Sequence, residues 1–183
     1  MHRRQPLPRL WLMTDERQGD ALWTGLGRLP RGSGVVFRHY GLPTPERRRL
    51  FGKVRKVAQR RRLVLLLAGT PRLAGAWGAD GSHGRGPHAP LRGQIRTAPV
   101  HDVREMIAAE RAGADLLFVS PAFGTRSHPG AAPLGRARFG LLVRQARGPV
   151  VGLGGMTPTR FRGLAHFKVY GWAAIDAWSA GPA

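Results

Sequence analysis

Short apolar runs recur along the chain, separated by segments whose apolar positions fall three and four residues apart. The first run is Leu10–Met13, closed by Thr14-Asp15, a turn or helix-cap pair. The second is Val35-Val36-Phe37, ending in Arg38-His39-Tyr40. Thr44-Pro45-Glu46 then reads as an N-cap, a proline at the first helical position and an acid in the first turn. The helix it opens carries Leu50, Phe51, Val54, Val57 and Ala58 on one face and arginines on the other. Leu63-Val64-Leu65-Leu66-Leu67 is apolar without a break, as expected for a parallel strand buried on both faces.

The alternation continues to the end of the chain. Gly78-Ala79-Asp80-Gly81 leads into a weak fourth strand, and Gln94-Ile95-Arg96-Thr97 is a weak fifth. Asp102 is placed to cap a helix carrying Val103, Met106 and Ile107. Leu116–Val119 is the sixth strand, residues 138–146 a helix burying Phe139, Leu142 and Val143, Val150–Leu153 the seventh strand, and residues 168–172 the eighth. Strands alternating with helical segments predict a parallel sheet, and eight of them predict a closed (β/α)8 TIM barrel. Val64, Leu66, Val119 and Val151, or their immediate neighbours, are expected to fill its interior. With 183 residues the chain is shorter than the roughly 250 typical of that fold, so some helices must be short or missing.

Composition narrows the picture without changing it. At 42% hydrophobic and 22% charged, the chain reads as one globular domain over residues 1–183, with residues 1–9 as a flexible N-terminal tail. There is no apolar run of membrane-spanning length, and Pro6, Pro8 and Arg9 interrupt anything like a secretory signal, so a cytoplasmic address is expected. The absence of cysteine excludes disulfides, thiolate metal sites and a thiol nucleophile. The formal charge of +20 attracts polyanions, but the arginines are spread over the whole chain and no nucleic-acid-binding motif accompanies them. Their densest cluster, from Arg47 to Arg62, lies on the polar face of the helix above. Any binding of nucleic acid is therefore expected to be nonspecific and salt-sensitive.

In a TIM barrel the chemistry sits on the loops that follow the strands. Those positions here are polar. The loop after the sixth strand offers the hydroxyls of Thr125 and Ser127 and the cationic donors Arg126 and His128, and the seventh strand ends in Gly154-Gly155. Hydroxyls, positive donors and bare backbone N–H groups together suit a phosphate. The two loops follow adjacent strands and should face one another. A bulky residue at Gly155 is expected to weaken phosphate binding without unfolding the barrel, provided its φ is negative. His39, His83, His88, His101 and His128 all follow strands, but their spacing matches no metal-ligand pattern, and no metal ligand is assigned. His83 reads as a structural hydrogen-bonding residue at the rim, and Trp11 and Trp172 as core or pocket wall.

These segments, in this order, resemble the thiamine phosphate synthase/TenI family of (β/α)8 barrels. The likeness runs from Leu10 to about Ile175. It is carried by Leu10-Trp11-Leu12-Met13-Thr14-Asp15, Val35 to Arg38, Gly78-Ala79-Asp80-Gly81-Ser82-His83, Gly113-Ala114-Asp115, Ser120-Pro121-Ala122-Phe123-Gly124-Thr125, Gly130 to Gly135 and Pro149 to Met156. The resemblance implies a transferase of thiamine biosynthesis that joins a pyrimidine diphosphate to a thiazole phosphate and releases diphosphate. Mg2+ would be its cofactor, and a phosphorylated thiazole or pyrimidine its ligand. By the same resemblance Arg38 takes the place of a diphosphate-binding arginine, Thr125 and Ser127 lie in the thiazole-phosphate loop, His128 stands for the loop lysine, and Gly155 offers its N–H to the phosphate.

The sequence departs from the family pattern at the metal and diphosphate positions. Val36 and Tyr40 stand where the family has glutamine and lysine. Ala68-Gly69 stands for its Asn-Asp, Gly86-Pro87-His88 for its Gln-Glu-Asp, and Pro99 for its serine. A hard cation is left with no obvious carboxylate ligand. Two alternatives follow. One is the family's metal-free thiazole tautomerase activity, with His101 as proton carrier. The other is a barrel that binds a phosphorylated ligand without turning it over. The oligomeric state is left open.

Overall fold

The structure is a computed structural model and describes residues 6–125 and 132–178. Eight parallel strands close in sequence order into a barrel: β1 (Leu10–Met13), β2 (Gly34–Phe37), β3 (Val64–Ala68), β4 (Gly81–His83), β5 (Ile95–Val100), β6 (Leu116–Val119), β7 (Val150–Leu153) and β8 (Gly171–Ala174). β8 returns to β1 with Leu10 opposite Trp172 and Trp11 opposite Ala173, so no edge remains.

The alternation along each strand divides the core in two. Trp11, Met13, Val36, Leu66, Leu116, Phe118, Val151 and Ala173 form one cluster, the barrel interior. The intervening residues, such as Leu12, Val35, Leu65 and Leu117, pack outward with the helices. Val64, Leu66 and Val151 belong with the interior, as predicted; Val119 turns outward and its neighbour Phe118 fills the barrel instead. Phe118 meets the Trp11 ring edge-on at 5.3 Å between centroids. Gly34 lies opposite Trp11 in the β1–β2 register, and a Cβ there would overlap the indole. Trp172 belongs to the outer layer, stacked on Trp178 at 4.8 Å.

Among the described residues six α-helices surround the barrel: α1 (Ala21–Arg28), α2 (Thr44–Arg61), α3 (Pro71–Trp77), α4 (Val103–Arg111), α5 (Gly135–Gln145) and α6 (Pro158–Arg162). The Asp102 carboxylate caps α4 by accepting the Glu105 N–H at 2.8 Å, as its position predicts. α2 starts one residue earlier than expected. Thr44 is its first residue and makes no side-chain cap, since Pro43 occupies the cap position.

The economy of length is taken between β4 and β5, where no helix occurs among the described residues, and between β7 and β8, where α6 has only 5 residues. β8 begins three residues later than the apolar pattern suggests, because Lys168 adopts φ 58° in a turn and Tyr170 spends its hydroxyl on the Leu7 carbonyl. Of the tail expected over residues 1–9, Pro8 and Arg9 are bound to the barrel. The Pro8 carbonyl accepts from the Trp11 indole, and the Arg9 carbonyl accepts from the Trp172 N–H at 2.9 Å. Among the described residues no helix is long and apolar enough to cross a membrane.

Candidate active site at the barrel mouth

The loops after β5, β6, β7 and β8, together with Arg38 after β2, enclose a cavity of about 440 Å3 at the C-terminal mouth. Arg38, His101, Thr125, Gly154 and Gly155, all singled out from the sequence, line it together. Ser127 and His128 lie outside the described residues.

The loops after β6 and β7 are laced by backbone. The Ala122 N–H donates to the Leu153 carbonyl at 2.8 Å, and the Phe123 N–H to the Gly154 carbonyl at 3.1 Å. Both glycines are required by this approach. Gly154 (φ 94°) and Gly155 (φ 58°) lie in the left-handed region, and a Cβ on Gly154 would come within 2.8 Å of the Pro121 Cα. The negative φ supposed for Gly155 is thus corrected. A β-branched residue there is strained in its own backbone as well as blocking the Gly124 carbonyl. Arg160, on α6, adds a cation that the sequence did not single out. It donates to the Gly155 carbonyl and lies 5.0 Å over the Phe123 ring. Asp176, after β8, lines the same cavity.

His101 follows β5 and is held by the helix it precedes. Glu105, one turn into α4, accepts the His101 backbone N–H at 2.8 Å, and the same carboxylate oxygen lies 2.8 Å from the ring Nδ1. Arg85 braces the same carboxylate at 3.0 Å and lies 2.8 Å from Nδ1. The Ser120 hydroxyl lies 3.4 Å from the other ring nitrogen, Nε2. The His101 side chain keeps 43% of its surface exposed, so the imidazole is reachable from the cavity.

On the opposite side the polar groups are already committed. Arg38 donates from Nε to the Thr14 carbonyl at 2.7 Å and from Nη2 to Asp15 at 2.8 Å. Burial alone would raise the Asp15 carboxyl, but hydrogen bonds from Arg17 and the charges of Arg38 and Arg17 outweigh it and hold the pKa below the ordinary value. His83 is sealed inside the barrel, 2.8 Å from the Thr97 hydroxyl and edge-on to Phe118. Burial, with the Arg38 charge adding to it, pushes its imidazole down to about 3. It is a structural hydrogen-bonding residue, as the sequence suggested, and no proton carrier near neutral pH.

The donor set does not fit a magnesium ion. The end of β3 presents Ala68, whose carbonyl is taken at 2.8 Å by the Arg47 guanidinium, which also holds the Arg38 carbonyl. A fixed cation thus stands at the strand end where a metal would need a carboxylate. Asp15 is spent on arginines and Glu105 on Arg85 and His101. Among the described residues no three His, Cys, Asp or Glu side chains gather as a metal site.

Comparison with known proteins supplies a family for this geometry. The family profile described as thiamine monophosphate synthase (TMP-TENI) matches residues 28–178. The "Putative thiamine-phosphate synthase 2" of Aquifex aeolicus is 30% identical over 180 residues, covering 93% of this chain and 97% of that protein. The "Thiamine biosynthesis bifunctional protein ThiM/ThiE" of Symbiobacterium thermophilum is 31% identical over 157 residues, which is 81% of this chain and 33% of the longer protein. Among solved structures, thiamine phosphate pyrophosphorylase from Pyrococcus furiosus superposes with a TM-score of 0.76 at 23% identity, covering 95% of this chain and 88% of that one. The family match over residues 28–178 and a 30%-identical relative matched over nearly its whole length agree: the chain belongs to the thiamine monophosphate synthase/TenI family.

Proposed function

We propose that this barrel binds a phosphorylated thiazole at its mouth and moves a proton on it without a metal, in the manner of a thiazole tautomerase. The observation that carries this reading is the His101–Glu105 pair facing a cavity that also holds Gly154, Gly155, Thr125 and Arg160. His101 Nε2 takes a proton from one ring position and returns it to another, so atoms and charge balance with no co-reactant. Glu105 holds the imidazole in the reactive tautomer and stabilises the imidazolium that forms between the two transfers. Arg160, Thr125 and the glycine backbone receive the phosphate. Ser127 and His128 belong to the same proposal, through the phosphate loop. Arg38, tied to Asp15, serves as a positive wall for a second anionic group such as a carboxylate.

The synthase reaction is the second reading. It is supported by the Aquifex aeolicus relative, whose name carries that activity and which matches over nearly its whole length. It requires Mg2+, for which the donor set is poor. The deciding experiment follows a thiazole phosphate carboxylate by proton NMR in deuterated buffer, with EDTA or with Mg2+ and the pyrimidine diphosphate. Isomerisation and isotope exchange in EDTA are expected. Coupling that appears only with Mg2+ would assign the synthase reaction, and ligand-induced thermal stabilisation without either reaction would make the barrel a binder.

A further inference from the structure

The missing helix between β4 and β5 leaves the outer face of β5 covered only by the loop from Gly84 to Gln94 and by α4. A second cavity, of about 390 Å3, opens there, away from the mouth. Ala98 of β5, Ala108, Ala109 and Ala112 of the α4 side, and Pro87 of the loop make its walls small and apolar. Into this lining β5 projects Arg96, a residue only 3% exposed.

Arg96 is poorly compensated. Its Nη2 donates to the Gly86 carbonyl, and its Nε is buried with no partner. No carboxylate pairs with it among the described residues. Burial lowers its pKa, with no acidic neighbour to offset the effect. Arg85 and Arg111 line the same cavity, and its one carboxylate, Glu105, is already held by Arg85 at 3.0 Å. A buried guanidinium without a counter-charge is costly, and the surplus here is wholly positive.

We propose that this side cavity binds a small organic anion, a carboxylate on an apolar body, whose head pairs with the arginines at 96 and 85 and whose body covers the alanines. This proposal does not depend on the function assigned to the mouth. It does connect to it. Arg85 also lies 2.8 Å from His101 Nδ1, so an anion that draws Arg85 away loosens the bracing of the Glu105–His101 pair. The side cavity and the mouth therefore share one arginine.

The test is titration of the protein at physiological salt with octanoate below its micellar concentration, against octan-1-ol and octylammonium of equal length. Calorimetry and thermal melting read the binding, and proton NMR reads the His101 ring. Octanoate should bind saturably, at least tenfold more tightly than either control, and should shift the His101 signals. Arg96→Met should abolish the binding. Ala108→Trp, placed at an exposed helix position and so safe for folding, should fill the cavity and abolish it with Arg96 intact. It carries the test alone should Arg96→Met fail to fold. Arg160→Met, at the mouth, should leave octanoate affinity unchanged. Equal binding of octanol, retained binding in Ala108→Trp, or loss in Arg160→Met would each overturn the proposal. Unmoved His101 signals would overturn the link through Arg85.

Discussion

Two histidines close successive strands on one rim, and their surroundings could hardly differ more. His83, at the end of β4, points into the barrel, hydrogen-bonds Thr97 and sits beside the Arg38 charge with its imidazole pushed down to about 3. His101, just after β5, stands half in solvent with Nδ1 beside a carboxylate and the residue lining the cavity. The same contrast divides the whole mouth. From β1 to β4 the arginines at the mouth are held within the protein: Arg38 by Asp15, Arg47 by the carbonyls at the ends of β2 and β3. From β5 to β8 the polar groups surround open space. Satisfied groups stabilise a fold, whereas groups arranged around a cavity are available to a ligand. The first half has become a brace, and the second carries whatever chemistry remains.

The largest effect expected from that division falls on His101. His101→Asn should reduce metal-free proton exchange by roughly 10²–10⁴-fold, the usual worth of a positioned acid–base group, while leaving ligand affinity within a factor of about three. Glu105→Gln should cost less, since it removes the charge that steadies the imidazolium but keeps a hydrogen-bond acceptor. Exchange persisting in His101→Asn at the wild-type rate would move the catalytic centre elsewhere.

How much of this was legible from the sequence follows the same boundary. Strands buried on both faces, such as residues 64–68 and 116–119, declare themselves by unbroken apolar runs. β8 was legible as a strand but at residues 168–172, three residues early, because its true start at Gly171 is set by a non-local contact: a Cβ there would run into the Arg9 carbonyl, 162 residues away in the chain. Gly154, Gly155, Thr125 and His101 were found because they follow strands in a fold that puts loops at the mouth. Arg160 was not, since it sits in a short helix after β7 and is held at the cavity by contacts distant from any local pattern, its bond to Gly155 and its place over the Phe123 ring. Glu105 could have been found. It lies four residues beyond His101 at the start of a helix capped by Asp102, the spacing at which side chains on one helical face meet.

His83 allows the braced half to be tested through stability. Its folded pKa lies below its unfolded value, so between pH 6.5 and about 3 the unfolded chain binds a proton that the folded one refuses. Stability must then fall as the pH falls through this window, by about 1.4 kcal/mol per unit. Urea melts at pH 7 and pH 5 should differ by about 2 kcal/mol from this group. His83→Gln, which can still bond Thr97, should flatten the slope. A shallower residual dependence should remain from His39, which burial also lowers. An unchanged slope in His83→Gln would mean that the histidine is not sealed, and the contrast with His101 would dissolve.

The smallest effect is expected at Arg160, and it sharpens the open half. Its guanidinium lies over the Phe123 ring and donates to the carbonyl of Gly155, so it is preorganised beside the glycine pair without being buried. Were phosphate received there, Arg160 would add one charge-assisted hydrogen bond in a partly solvated site, on the order of 1.5–3 kcal/mol at most and less after screening. Arg160→Met keeps the stem over Phe123 and removes the charge. Affinity for a thiazole phosphate should fall about tenfold, and the loss should shrink as salt is raised. The uncharged thiazole alcohol should bind both proteins equally, because the variant leaves the apolar part of the cavity unchanged. A parallel loss for the alcohol would show that Arg160 shapes the pocket rather than reading the anion. Equal phosphate affinity in both proteins would remove the anion from the β7 side altogether and return it to Arg38, reversing the division between the two halves of the mouth.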